Sequence, residues 1–304
     1  MVATSKETAM HVRDALARYA LQLQADGRSD HTVAQARRQV GALVRWLEAG
    51  GGPQQIERLG HEDLARYLAS PAAQRRPDGR ARKATSGNVT RTTLRVFFRY
   101  ASEAGYAPTN AARLVRLAKT GTPPPRMLTD DEVRRLLAAV DAHDTPAARR
   151  DGALIRLMLG TGLRISSALA LRAEDIDLAA GEIRVLHVKG GVPLALPMSR
   201  VVARELQAYV ATADLRGQDL LFGGQGSRPL TRRQAASRVA DWARAAGLAG
   251  RATCHSLRHT FATTLYRRTK DILVVQAALG HASVESSAIY ARVDRAGLRE
   301  ALRR

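Results

Sequence analysis

Cysteine, lysine and aromatic residues are scarce in this chain. One cysteine, Cys254, stands in 304 residues. That excludes an internal disulfide and points to a reducing compartment, the cytoplasm. Aromatics make up only 4%, so any core must rest on Leu, Val, Ile and Ala. No apolar run approaches the ~18–20 residues needed to span a bilayer. The opening stretch, MVATSKETAMHVRDALARYA, lacks the basic start and apolar centre of a secretory signal. A soluble protein with no membrane partner is expected.

Basic charge, by contrast, is abundant. Lys and Arg number 48 against 28 Asp and Glu, for a formal net charge of +20. Only Lys6, Lys83, Lys119, Lys189 and Lys270 are lysines. GC-rich coding would favour Arg over Lys, but it does not explain the excess of basic over acidic residues. Such a balance indicates a polyanionic partner, most often nucleic acid. The apolar fraction of 45% suffices for ordinary cores, and the length suggests two domains.

The first ~115 residues carry apolar positions at helical spacing over 8–24 and 32–48. Gly50 to Pro53 should stop the second helix. A short helix is expected at 61–69, a basic turn-rich loop from Gln74 to Lys83, and a longer helix over 88–104. This half reads as four or five helices with no strand. Three prolines at 123–125 mark a linker, since consecutive prolines favour an extended spacer. A second domain then opens at a capping box, Thr129 to Glu132. Helices are expected at 130–141, 148–159 and 165–171. A β-hairpin follows, with strands at 182–188 and 192–196 joined by Lys189-Gly190-Gly191. Pro193 and Pro197 make its second strand short or an edge. Helices resume from about 199, with Thr231–Gln234 capping one of them. The expectation is a mainly α fold with a small β-hairpin: a helical domain over 1–117, a linker over 118–127 and an α+β domain over 128–304.

Four short stretches can carry chemistry. In Thr161-Gly162-Leu163-Arg164, Arg164 opens a helix after a glycine break, where an Arg and backbone N–H groups can hold a phosphate. The plain alternative is a solvated Arg after a turn. Lys189 sits at the hairpin turn; unlike Arg, Lys can give up a proton, although turn lysines are usually only exposed. In His255-Ser256-Leu257-Arg258-His259, His255 and Arg258 share a helix face. A metal reading of His255 and His259 fails on Ser256, where a zinc-protease helix carries Glu, and no further ligand stands nearby. Cys254 reads as a small core residue. In Leu279-Gly280-His281-Ala282-Ser283, Gly280 can end a helix in the left-handed conformation and Ser283 can cap the next, which carries Tyr290. Alone, Tyr290 would be a half-buried packing residue.

In order and spacing, Arg164, HSLRHTFAT at 255–263 and LGHASVESSAIY at 279–290 resemble the signature of the tyrosine recombinase (phage integrase) family. Xer-like and compact integrase members are the most similar, and the resemblance runs over essentially the whole chain. It implies an all-helical, SAM-like core-binding domain followed by a catalytic domain. It also implies site-specific cutting and rejoining of DNA through a 3′-phosphotyrosine, with strand exchange through a Holliday junction. Arg164, His255, Arg258 and His281 would surround the scissile phosphate, Lys189 would be the general acid, and Tyr290 the nucleophile. Neither a metal nor a nucleotide cofactor is implied. Ser167 departs from the family, many of whose members carry Glu or Asp at that position.

The N-terminal domain would lie on duplex DNA with Arg91 and Arg95 at the interface, helped by Lys83 and Arg82, and a solvated basic face is the plain alternative. Arg232 and Arg233 are weaker DNA-contact candidates in the second domain. The two domains would clamp the duplex. A homo-tetramer that exchanges the segment Val293 to Arg304 between protomers is implied, and accessory proteins are compatible with it. Two other readings are a type IB topoisomerase-like relaxing enzyme and a non-catalytic DNA-binding regulator of the same fold.

Overall fold

A computed structural model describes residues 9–121, 126–185, 194–223 and 229–280. The chain divides into two compact units, Met1–Thr122 and Pro123–Arg304.

In the first unit, α1 (Val12–Ala25) and α2 (Asp30–Trp46) are followed by α3 (His61–Ala69), α4 (Pro71–Gln74) and α5 (Ala84–Glu103). Ser29 caps α2 by accepting a hydrogen bond from the Thr32 N–H. The chain leaves helical geometry at Ala49 and Gly50, where Gly50 takes φ +91°, as the glycines led one to expect. One helix was not expected: α4 is four residues long and begins at Pro71, whose fixed φ suits a first helical position. The basic loop after it closes as a tight turn with an Arg75–Ala81 bridge. Val12, Val40, Leu43, Leu64, Leu94, Phe97 and Phe98 fill this unit's core. Seven of the chain's 13 aromatics stand in this unit, with Tyr19 edge-on to Phe97 and Phe97 to Phe98.

The second unit runs through α6 (Asp130–Asp141), α7 (Pro146–Thr161) and α8 (Ile165–Ala168), then β1 (Ile176–Asp177), β2 (Glu182–Val185) and β3 (Leu194–Pro197). The helices α9 (Arg200–Thr212), α10 (Arg232–Ala245), α11 (Cys254–Thr269) and α12 (Ile272–Leu279) follow. The Thr129–Glu132 and Thr231–Gln234 capping boxes form as expected. β2 and β3 pair antiparallel, with Ile183 opposite Leu196. The two-residue β1, too short to show any periodicity, adds a third strand on the other edge of β2. The segment joining β2 to β3 lies outside the described residues.

α7 is the central pillar of this unit, packing against α6, α9 and α11. A buried carboxylate fixes it to α10. Asp151 accepts from Arg150 Nη2 at 2.8 Å, Arg238 Nε at 2.7 Å and Trp242 Nε1 at 2.8 Å. A carboxylate so enclosed is tolerated because its charge is paired and its oxygens are satisfied.

Candidate functional site

The site is built at the C-terminal end of α7. Thr161 Oγ1 donates back to the Leu157 carbonyl at 2.7 Å, and the helix ends at Gly162 with φ +65°. Two constraints meet at this glycine. Its φ lies in the left-handed region that favours Gly. A Cβ there would also stand 2.3 Å from Phe261 Cδ1 and 2.9 Å from Leu279 Cδ2. Two residues earlier, a Cβ on Gly160 would stand 2.3 Å from Val202 Cγ2 on α9. The turn is therefore gripped from both sides. Leu163 is buried beneath it, and Arg164 follows in extended conformation as the residue preceding α8. The Arg164 side chain is half-buried, and among the described residues its guanidinium has no hydrogen-bond or ion-pair partner. A positive group held in that way is disposed to take an anion.

The HSLRH segment forms the first two turns of α11, started by a reciprocal cap between Thr253 and Ser256. Thr260 Oγ1 accepts from the Leu128 N–H at 2.8 Å and donates to the Ser256 carbonyl, which fastens the start of the domain to this helix. Arg258 is 6% exposed. Its Nη1 donates to the Gly162 carbonyl at 2.6 Å and its Nη2 to the Leu279 carbonyl at 2.9 Å. Both acceptors lie where helices end, α7 and α12, and partial negative charge gathers at such ends. Arg258 thus holds the turn that carries Arg164, and it holds the helix end that precedes His281.

His255, exposed on the first turn of α11, has its pKa held below the usual imidazole value. Partial desolvation is the larger cause and the Arg258 charge the smaller. Its ring lies edge-on to His259, with centroids 4.1 Å apart. Cys254 is buried in the core, and burial pushes its thiol pKa up, which disfavours the thiolate. Ser167 is buried in α8. Among the described residues no group of three or more His, Cys, Asp or Glu could hold a metal ion.

Of the six catalytic candidates, the structure places Arg164, His255 and Arg258. Lys189, His281 and Tyr290 lie outside the described residues, as does Val293 to Arg304. Gly280 does end α12 with φ +58°. Among the DNA-contact candidates, Arg95, Lys83, Arg232 and Arg233 are exposed, and Arg91 and Arg82 are half-buried. Arg91 and Arg95 lie on α5, Lys83 immediately precedes it, and Arg232 and Arg233 open α10. Phe261 and Leu279, which wall in Gly162, were not singled out from sequence. The glycine itself was the available signal, since a Gly beside a reactive turn often marks a close approach.

Comparison with known proteins agrees with this construction. Residues 126–296 match the model of the phage integrase family, and residues 16–105 match its N-terminal SAM-like domain. The tyrosine recombinase XerD of Ralstonia nicotianae is 32% identical over 279 residues, covering 90% of this chain and 87% of that protein. The tyrosine recombinase XerC of Xylella fastidiosa is 31% identical over 268 residues, covering 88% of each. Among solved structures, a lambda integrase tetramer bound to a Holliday junction superposes with a TM-score of 0.72 at 23% identity, covering 93% of this chain and 78% of that one. XerH bound to its difH substrate gives 0.70 at 24% identity, covering 97% and 85%. At those identities the structural likenesses bear on the fold alone. Fold and relatives together define a site-specific tyrosine recombinase, a DNA strand-transferring enzyme. The chain belongs to the phage integrase family and is of its Xer-like type. Neither the topoisomerase nor the regulator reading is favoured by these matches. Among the described residues no helix is long and apolar enough to cross a membrane.

Proposed function

We propose that Tyr290 is the nucleophile of this recombinase and that Arg164, Arg258, His255, His281 and Lys189 serve the same phosphate. The Tyr290 hydroxyl oxygen attacks the scissile phosphorus. A 3′-phosphotyrosine forms, and the 5′ oxygen leaves with a proton from Lys189. A 5′ hydroxyl of another strand then attacks the phosphotyrosine and releases Tyr290. One phosphodiester replaces another, so no ATP is consumed. The observation that carries this reading is the reach of Arg258 to the Gly162 and Leu279 carbonyls. It ties the Arg164 turn to the helix that leads to His281 and Tyr290.

The chemistry follows from the groups. A phenol with an ordinary pKa of ~10 is protonated at neutral pH, and two neighbouring guanidiniums favour its ionised form. The same cations meet the charge that builds on the non-bridging oxygens in the transition state. The downward shift of His255 favours a neutral imidazole at pH 7, which can accept the phenol proton.

The partner is duplex DNA bearing specific recombination sites. The working assembly is a tetramer in which each protomer lends Val293–Arg304 to a neighbour, with accessory proteins in attendance. Its setting is the cytoplasm. A suicide DNA substrate, nicked beside the cleavage point, should trap a covalent complex that Tyr290→Phe abolishes. Trapping by the Phe variant would refute the nucleophile.

A further inference from the structure

His255 stands on the first turn of α11, with its side chain exposed. Among the described residues that side chain makes no hydrogen bond and no ion pair. A group that acts on a phosphate must nevertheless be held in one orientation, because a misplaced catalytic group slows a reaction steeply. The contact that holds this one is a ring. His259 lies four residues on, and helical side chains lean towards the N-terminus, so residue 259 reaches back over residue 255. The two imidazoles meet edge-on, with centroids 4.1 Å apart and planes at 70°.

The base under His259 is firm. The residue is half-buried, and both of its chain neighbours are tied to other parts of the unit. Arg258 reaches the carbonyls where α7 and α12 end, and Thr260 accepts from the Leu128 N–H. The reciprocal bonds between Thr253 and Ser256 close the turn on which His255 stands. The backbone beneath both rings is therefore fixed. What remains free in His255 is rotation about its own side-chain bonds, and a second ring standing edge-on against it removes part of that freedom.

We propose that His259 is a positioning residue of this recombinase: its ring sets the orientation in which His255 meets the scissile phosphate. The proposal rests on the reading of His255 as part of the phosphate site and deepens it. His259 acts through His255 and not on the DNA.

The full chain first selects its own substrate, by covalent trapping from a pool of nicked suicide duplexes with randomised arms. Single-turnover cleavage of a trapped duplex is then timed at saturating protein, with duplex affinity measured in parallel. His259→Ala should cleave roughly 10-fold more slowly, with the affinity of the wild type. His259→Phe, which restores a ring against His255, should recover most of that rate. In a His255→Ala background, His259→Ala should cost nothing further, since the two residues act as one unit. A wild-type rate for His259→Ala, its full loss repeated in the His255→Ala background, or a Phe variant as slow as the Ala variant would overturn the positioning role. A wild-type rate for His255→Ala alone would instead overturn the reading of His255 beneath the proposal, and a wild-type chain that traps no duplex would overturn the recombinase reading beneath both.

Discussion

Two arginines of the site have opposite surroundings. Arg164 is half-buried and makes no side-chain bond among the described residues, whereas Arg258 is buried and holds two backbone carbonyls. Their replacement should therefore separate catalysis from stability. Arg164→Ala should slow covalent-complex formation on the order of 10²–10³-fold and leave stability within about 0.5 kcal/mol. Arg258→Ala should slow it at least as much. It should also destabilise the fold by about 3 kcal/mol, because two buried acceptors lose their donor. Urea unfolding read beside suicide-substrate kinetics checks both, and equal urea midpoints for the two variants would contradict the clasp. The residue types and spacings of this site were legible in sequence, because Arg164 and the His255–Arg258 pair stand within short local patterns. The partners of Arg258 were not. They lie 96 and 21 residues away in the chain, and only packing brings them to it.

Most helices were legible for a related reason. Caps and apolar spacing are local, and α6 begins and ends where its capping box and spacing place it. What escaped was short or non-local: α4 begins at a proline and ends within one turn, and β1 exists only as a partner for β2. The close approach of α7 to α9 is a further feature that no local pattern encodes. Gly160 lets the two helices meet at Val202. Gly160→Ala should destabilise by about 1–3 kcal/mol through overpacking, despite the better helix propensity of Ala. In a Val202→Ala background the same change should become neutral or stabilising. A double-mutant cycle by thermal or chemical unfolding measures the coupling, and an unchanged cost in that background would refute the contact.

At the scale of the whole molecule, each unit has its own buried cluster, one running from Val12 to Ala112 and the main catalytic one from Leu128 to Leu257. A unit with its own core should fold alone. A fragment of residues 1–122 should be helical by circular dichroism and melt cooperatively; a featureless melt would show that its core depends on the rest of the chain. The prolines at 123–125 were the sequence's mark for a linker, and the two compact units divide between residues 122 and 123. The charge of +20 was legible too, but sequence alone does not say which basic residues share a cleft.

The bond that moors the Leu128 N–H to Thr260 has a further consequence. At the other end, the Asn88 amide donates to the Ala118 carbonyl at 2.9 Å and accepts from the Ala118 N–H at 2.8 Å, which moors the outgoing chain to α5. Only nine residues, 119–127, lie between the two moorings, and fully stretched that length of chain reaches at most ~35 Å. The two units are therefore tethered by no more than that length of chain. In a recombinase, a tether of that size should make engagement of DNA by the second unit, once the first is bound, a local search at raised effective concentration.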